Sequence, residues 1–411
     1  MKKTLLLLTV SGLLGSLHAQ TLVTVSTHPA NADQVWYSLL NGEVGRAPLA
    51  DWDLAFEMTG LTAGVRVNTA KGTVVYETPY TFAQWDQLTT PDEAAWTRVD
   101  NEVTRWDFGA LNHGNDMDAP DGYNVGWGVY NPANHHMNGD KVYALAMPDG
   151  SWKKLRMNSV INGTFSFTYA NLDGTGAQDA SLNKAQYAGR NFAYWSFTSN
   201  AALNMEPANA TWDLLFTKYT DFVPTPYNVA GVLQNRNVTA LQVNGVPTAD
   251  AQWTDGPFST DINVIGSDWK RYSGGGYAIA PDTTYFVKDV PGNIWKIIFT
   301  GYGGGATGDM SFTQELMSAA GVQETGVAQG TLLIAPNPAT AGPVQVLVDV
   351  PGGQGVLRVT NAAGQQVATA QWSGIHGLAV RTLDAGSLPA GLYMLRFETP
   401  VAVATAKLLV Q

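Results

Sequence analysis

The chain has 411 residues, of which 14% are charged, and 34 acidic against 23 basic residues give a formal net charge of −11. That balance argues against nucleic-acid binding, because a phosphate backbone is held by clustered lysine and arginine. The absence of cysteine removes disulfides, thiol catalysis, iron–sulfur clusters, cysteine-ligated zinc and a lipidated N-terminal cysteine.

Residues 1–20 read as a secretory signal peptide. Lys2 and Lys3 supply the positive start, Thr4–Leu14 the apolar stretch and Leu17-His18-Ala19 the cleavage site. The apolar stretch is too short to cross roughly 30 Å of hydrocarbon.

A tandem repeat follows. Trp36-Tyr37-Ser38 and Trp52-Asp53-Leu54-Ala55-Phe56 return as Tyr194-Trp195-Ser196 and Trp212-Asp213-Leu214-Leu215-Phe216. The run Val142–Leu145, the turn at Asp149-Gly150 and the run Trp152–Leu155 have the alternation and tight loop of a hairpin. They return as Thr284–Val287, Pro291-Gly292-Asn293 and Trp295–Phe299, and each copy closes on an alternating run, Thr164–Tyr169 or Asp309–Phe312. Two lobes are predicted, 21–178 and 179–325, the first lengthened by an insertion between Trp106 and Tyr143. A strand is expected over Tyr123–Tyr130, a helical turn or two over Gln314–Ala320, and a flexible turn at Gly301–Gly305. The Trp and Phe of each Trp-Asp-Leu motif are expected to enter the core on one face, with the Asp capping or pairing at the edge.

Residues 331–411 have a different texture. Val344, Val346 and Val348 alternate with polar residues, as do Val356, Arg358 and Thr360, and Pro351-Gly352-Gly353, Ala363-Gly364 and Pro389-Ala390-Gly391 separate the runs. The predicted fold class is therefore all-β: two tandem antiparallel β-lobes plus a small C-terminal β-sandwich.

Three pieces of that tail resemble the C-terminal sorting domain of the type IX secretion system of Bacteroidetes-like bacteria. They are the segment around Pro336, Asn337 and Pro338, the segment Leu388–Tyr393 with Gly391, Leu392 and Tyr393, and the terminal Lys407-Leu408-Leu409-Val410. The resemblance implies handling by the type IX machinery and release, or display on the outer-membrane surface of a Gram-negative cell. The repeated landmarks resemble the HmuY family of secreted haem-binding proteins. Its pattern runs from a Trp-Asp-(Ile/Leu)-Ala-Phe strand to a Tyr-Phe-Val hairpin with Asp-Gly in the turn, and ends on a strand of alternating aromatics. That resemblance implies an open, mostly antiparallel β-fold and the binding and carrying of haem, or of a haem protein, at the cell surface, and the distribution of histidines assigns such capture to the first lobe. The chain departs from it in doubling the module and in replacing a lipid anchor with a sorting domain.

Without cysteine, haem iron needs His, Met or Tyr. His18 leaves with the signal and His376 lies in the tail, so His28, His113, His135 and His136 remain, all in the first sequence lobe. His113 and the pair His135-His136 sit in Asn- and Gly-flanked loops of the insertion and are the axial-ligand candidates, with Met117 and Met137 as substitutes. Asp116, Asp118 and Asp121-Gly122 form part of a calcium-loop pattern, but Pro120 occupies a ligand position and no closing Glu follows. Stacking of carbohydrate on tryptophan is a third reading: Trp106, Trp127 and Trp253 fall outside the repeat, whereas Trp52, Trp152, Trp212 and Trp295 belong to it and read as core. No nucleophile elbow, zinc-protease, phosphate-loop or dinucleotide motif occurs, so a binding or adhesive surface protein is expected rather than an enzyme.

Overall fold

The computed structural model describes residues 20–60, 62–120, 122–222, 224–319, 328–340, 342–350, 353–362, 364–375, 377–399 and 402–411. The signal peptide, Asp121 and His376 lie outside the described residues. Two compact units divide the chain, Met1–Ala320 and Gly321–Gln411.

In the first unit four antiparallel sheets stack face to face. An eight-stranded sheet carries the order Gln178–Asn183, Thr164–Asn171, Trp152–Ile161, Lys141–Ala146, Val74–Thr81 and Thr97–Val99, with Gly128–Asn131 and His136–Gly139 attached to one flank. Next comes Ala201–Leu203, Phe192–Ser196, Leu54–Glu57 and Val65–Val67. The third layer is Pro226–Gln234, Leu214–Phe222, Asp33–Ser38 and Gly42–Pro48. The fourth runs Thr21–Ser26, Asp309–Ser318, Ile294–Tyr302, Thr283–Lys288 and Thr239–Asn244.

The layers meet through three apolar cores. Phe56, Trp127, Tyr143, Phe167 and Trp195 fill the first sandwich, and Tyr37, Phe216, Trp269, Tyr285 and Phe312 fill the second. Trp36, Ala55, Tyr194, Trp212 and Leu215 join the two inner sheets back to back. The repeated motifs therefore supply strands buried on both faces: every residue of Asp33–Ser38, Leu54–Glu57 and Phe192–Ser196 is buried. This explains why Leu-Ala-Phe reads as a continuous apolar run rather than an alternation.

The sequence halves and the sandwiches do not coincide. Asp33–Ser38, from the first copy, pairs with Leu214–Phe222 of the second, Val35 opposite Phe216 and Tyr37 opposite Leu214. Phe192–Ser196, from the second copy, pairs with Leu54–Glu57 of the first, and Thr21–Ser26 pairs with Asp309–Ser318 at the far edge. Each sandwich thus borrows strands from the other copy, so the boundary at 178/179 does not separate the lobes in space. His28 goes with this exchange: its backbone runs beside Gly308, where Thr27 donates to the Gly308 carbonyl at 3.0 Å.

The repeated aspartates lock the exchange. Asp53 N donates to the Trp195 carbonyl and Asp213 N to that of Tyr37, both at 2.8 Å. Their carboxylates accept from Phe197 N at 2.7 Å and Leu39 N at 2.8 Å. Asn68 and Asn235 complete the pattern, each donating through Nδ2 to two carbonyls at the strand starts, Leu49 and Trp52 or Asn209 and Trp212.

Local expectations meet mixed outcomes. The hairpin Lys141–Ala146/Trp152–Ile161 forms, with Tyr143 opposite Leu155. Gln314–Ser318 is strand rather than helical turn, because it pairs with both Thr21 and Ile294 neighbours. Gly304–Thr307 winds one helical turn inside the glycine run, closed by Gly308 at φ 72°. Of the expected Tyr123–Tyr130 strand only Gly128–Asn131 is extended, although Asn124 bridges to Val129.

The second unit is a small β-sandwich. Ala328–Gln329, Ala402–Val410, Gly391–Glu398, Gln354–Asn361 and Gln366–Ser373 form one sheet, and Thr331–Ala335, Pro343–Val350 and Gly377–Asp384 the other. Val344, Val346, Val348, Leu357, Leu395 and Phe397 fill the space between them, so the alternation in the sequence becomes an inner and an outer face.

Candidate functional site

The insertion in the first sandwich carries the predicted ligands. Its hairpin pairs Tyr130 with Met137 and Asn131 with His136. The reversal is held by side chains: Asn131 Oδ1 accepts from Ala133 N at 2.9 Å and Asn134 Oδ1 from His136 N at 3.0 Å. His135 sits at φ 59°, a left-handed conformation that a residue with a Cβ adopts at a cost. Its Nδ1 lies 2.6 Å from the Tyr130 hydroxyl. The Tyr130 ring is 6.0 Å from that of Tyr123, which is 43% exposed.

The candidate ligands have separate surroundings. His113 closes a short 3-10 turn, and its Nδ1 faces Glu77 Oε2 at 3.3 Å, while Lys141 holds Glu77 Oε1 at 2.8 Å. His135 is bound to Tyr130, and His136 is half-buried in its strand. Met137 is buried in the first core and Met117 packs against that core, so both are packing side chains. The insertion brings His135 to Tyr130, sets His136 opposite Asn131 in the strand register, and leaves His113 on the Glu77–Lys141 pair.

The calcium pattern is differently employed. Asp116 Oδ1 accepts from Asn124 N at 2.8 Å, which makes it a turn former. Asp118 pairs with Arg105, whose guanidinium also binds Asp107 at 2.8 Å and lies over the Phe108 ring. Those hydrogen bonds to carboxylate raise the Arg105 pKa. A surface cleft of about 360 Å³ adjoins them, lined by Glu102, Phe108 and Asn115 among others. Among the described residues, no three His, Asp or Glu side chains gather as a metal site.

The tryptophans divide against expectation. Trp106 and Trp127 are buried, and their indole N–H groups donate to the Gln234 and Ala63 carbonyls. Trp253 is 38% exposed. More exposed than Trp253 are Phe222 and several tyrosines, Tyr272 and Tyr277 among them. Tyr272 and Tyr277 face each other across the hairpin Lys270–Ser273/Gly276–Ile279, with ring centroids 5.3 Å apart. They are 67% and 45% exposed. Tyr277 continues inward onto Tyr302 at 4.7 Å, and Tyr302 onto Trp269 at 5.8 Å. Lys270 runs beneath this ladder, its ammonium 4.2 Å from the Trp269 ring centroid, and burial lowers its pKa to about 8.

In the second unit, three sequence-distant pieces are tied together. Asn337 Nδ2 donates to the Lys407 carbonyl at 2.7 Å, and Asn337 Oδ1 accepts from Leu409 N at 3.0 Å. Ala339, just after Pro338, donates to the Leu409 carbonyl at 2.7 Å. Tyr393 donates its hydroxyl to the Pro389 carbonyl at 2.7 Å, closing the turn before Gly391. Pro336 flanks Asn337 on the other side, and Leu392 points outward, 49% exposed.

Residues 333–411 match the family model described as the secretion system C-terminal sorting domain. The tail is a type IX secretion sorting domain. It directs the chain through that system to the cell surface or extracellular space. Among the described residues no helix is long and apolar enough to cross a membrane. No curated protein matches the chain. Solved structures give only faint similarities. PorZ, an essential bacterial surface component of the type IX secretion system of Porphyromonas gingivalis, aligns at 9% identity over 69% of this chain and 44% of its own, with a TM-score of 0.15. The crystal structure of CHIR-AB1 aligns at 15% identity over 21% of this chain and all of its own, TM-score 0.17. A fungal alcohol oxidase of the AA5 family, in complex with copper, aligns at 11% identity over 96% of this chain and all of its own, TM-score 0.16. These similarities assign neither a fold family nor an activity. The sorting domain is the family relationship on which the functional reading rests.

Proposed function

We propose that the protein is a cell-surface binding protein, exported and displayed by its sorting domain, rather than an enzyme. The observation that carries this reading is the closure of the sorting motif, in which Asn337 joins the start of the tail to Lys407 and Leu409 at its end. A tail folded in this way addresses the 20–319 portion to the outside of the cell, where its exposed side chains meet ligands. The test is protease shaving of intact cells producing the full chain. Degradation of the first unit on intact cells, lost when 333–411 is deleted, supports the reading. Retention inside the cell with the tail intact overturns it.

A second reading is haem capture by an HmuY-like first sandwich, and the Tyr130–His135 contact favours it. Ferric haem accepts tyrosine or histidine as axial ligand, and a phenol 2.6 Å from an imidazole nitrogen has an acceptor ready for its proton. Tyr130 would hold the iron through its phenolate oxygen, with His135 taking the phenol's proton. His113 stands on Glu77 instead, its Nδ1 3.3 Å from Oε2. Haem would supply a planar, iron-centred ligand for transport, and the hairpin would orient it. Haemin titration of the secreted chain decides this: a Soret shift lost in Tyr130→Phe or His135→Ala supports it, and an unchanged spectrum overturns it.

A further inference from the structure

The two copies of the Trp-Asp-Leu motif differ at a single residue, Ala55 in the first and Leu215 in the second. Both side chains enter the layer between the inner sheets. In its own sheet Ala55 stands between two larger neighbours in one cross-strand row, Arg66 on one side and Tyr194 on the other. Its methyl group leaves the space between them unfilled. The result is a partly open cleft of about 60 Å³, walled by Trp52, Trp106, Phe192 and Tyr194. Leu215 and Leu233, opposite each other in register, line it from the facing sheet.

The polar groups on this wall are short of partners. Arg66 makes four hydrogen bonds, to the carbonyls of Glu102, Arg105, Trp106 and Phe108, and all four acceptors are neutral. Among the described residues no carboxylate lies within ion-pair distance of its guanidinium. Burial, and then the nearby Arg236 charge, lower its pKa to about 10. A desolvated cation without a counter-ion is costly. The charged residues lining the cleft, Arg66 and Lys218, are both basic, in a chain of net charge −11. Tyr194 is 5% exposed, and its hydroxyl makes no hydrogen bond among the described residues. Burial raises its pKa well above the ordinary value, which keeps the proton on that hydroxyl. The Trp52 ring lies 5.1 Å from that of Tyr194, and its indole N–H is buried without an acceptor. Two unused donors beside an unbalanced positive charge call for an anionic acceptor.

The size and the walls narrow the choice of anion. A volume of about 60 Å³ takes about four waters and falls well short of the roughly 150 Å³ that accepts a benzene ring. The two oxygens of a carboxylate accept from two donors at once, and the leucine and aromatic walls suit a short alkyl group behind it. A phosphate or sulfate of similar size would turn oxygens against those apolar walls, at a desolvation cost.

We propose that this cleft binds a short-chain aliphatic carboxylate, its oxygens on Tyr194 and Trp52 beside Arg66 and its alkyl group against Leu215 and Leu233. This rests on the surface-binding reading and names a ligand class for it. The experiment is calorimetric titration of the full secreted chain with sodium propionate, with propionamide and sodium chloride as comparisons. Saturable binding of propionate is expected, with none of propionamide and none of chloride at equal concentration. Tyr194→Phe weakens it about 10-fold or more, as loss of a hydrogen bond to a charged group does. Ala55→Leu, which carries the side chain of the second copy into the first, fills the cleft and abolishes binding. Thermal midpoints show that the variants are folded, and if Ala55→Leu does not fold, Tyr194→Phe and the propionamide comparison decide. No binding of propionate, equal binding of propionamide or chloride, or wild-type affinity in a folded Ala55→Leu overturns the proposal. Failure here with surface display intact removes the carboxylate site and leaves the surface-binding reading standing. Failure of display removes that reading without altering the titration.

Discussion

The carboxylate of Asp53 accepts a hydrogen bond from the backbone N–H of Phe197, 144 residues away, at 2.7 Å. Asp213 repeats the contact with Leu39 at 2.8 Å. These bonds cross from one sequence copy to the other and hold each borrowed strand. The two sites differ in charge balance. Asp53 also binds Lys71 Nζ at 2.7 Å, whereas Asp213 accepts from Val290 N and has Asp289 nearby instead of a cation.

Replacing either aspartate destabilises the first unit. Asp53→Ala leaves Lys71 and the Phe197 amide without their partner, and loss of one member of a buried pair costs roughly 3–5 kcal/mol. Asp213→Ala removes an acceptor from two backbone amides, about 1–3 kcal/mol for each group left unsatisfied. Denaturant unfolding followed by tryptophan fluorescence measures both, and a midpoint unchanged in either variant contradicts the locking role.

Stability of the first unit falls as pH rises towards neutrality. Burial raises the pKa of Glu206 to about 7 and that of Asp213 to about 6. A carboxyl raised in the folded state favours the protonated protein, so its contribution is complete below the unfolded value near 4.5 and is lost through pH 6–7. For Glu206 the difference is about 3 kcal/mol. Thermal midpoints from pH 4.5 to 8 should decline, and Glu206→Gln should flatten that slope whatever its effect on absolute stability. An equal slope in the variant assigns the dependence to other groups.

Much of this arrangement was legible in the sequence, for reasons that also mark the limits. The Tyr143–Leu155 hairpin and the tail sandwich depend on neighbours in sequence, where alternation and turn residues specify the outcome. Alternation states which face is apolar but not which strand lies beside it. The pairing of Val35 with Phe216 is a choice of partner across the whole unit, and a repeat is compatible with either the local or the exchanged pairing. Gln314–Ser318 reads ambiguously in isolation and becomes strand because Thr21 and Ile297 flank it. Trp127 has no repeat landmark beside it until its offset to Trp269 is noticed, so its burial was not legible. His113 and His135 were legible as loop residues, whereas His136 opens the strand His136–Gly139, and the Tyr130 partner of His135 depends on the hairpin register.

Asn337→Ala should impair export. The substitution removes the bonds to Lys407 and Leu409, costing the sorting domain roughly 1–3 kcal/mol. Cell fractionation should show precursor accumulating inside the cell, and Asn337→Asp should restore at most the contact to Leu409 N. Wild-type surface levels for Asn337→Ala would show that the closure is dispensable.

Phe56→Ala should cost 3–5 kcal/mol, the usual range for a large aromatic removed from a core. Phe56 is 0% exposed and lies against Phe165 and Phe167 at 5.2 and 4.8 Å. Calorimetry of the secreted chain provides the value, and a loss below about 1 kcal/mol would mean that the first sandwich does not close around this ring.

The central claim is display of the first unit by the sorting domain, which residues 333–411 form. Protease shaving of intact cells tests it most directly, comparing the full chain with the 333–411 deletion. Degradation of the first unit is expected for the full chain and not for the deletion. Equal degradation, or equal protection, of the two would contradict it.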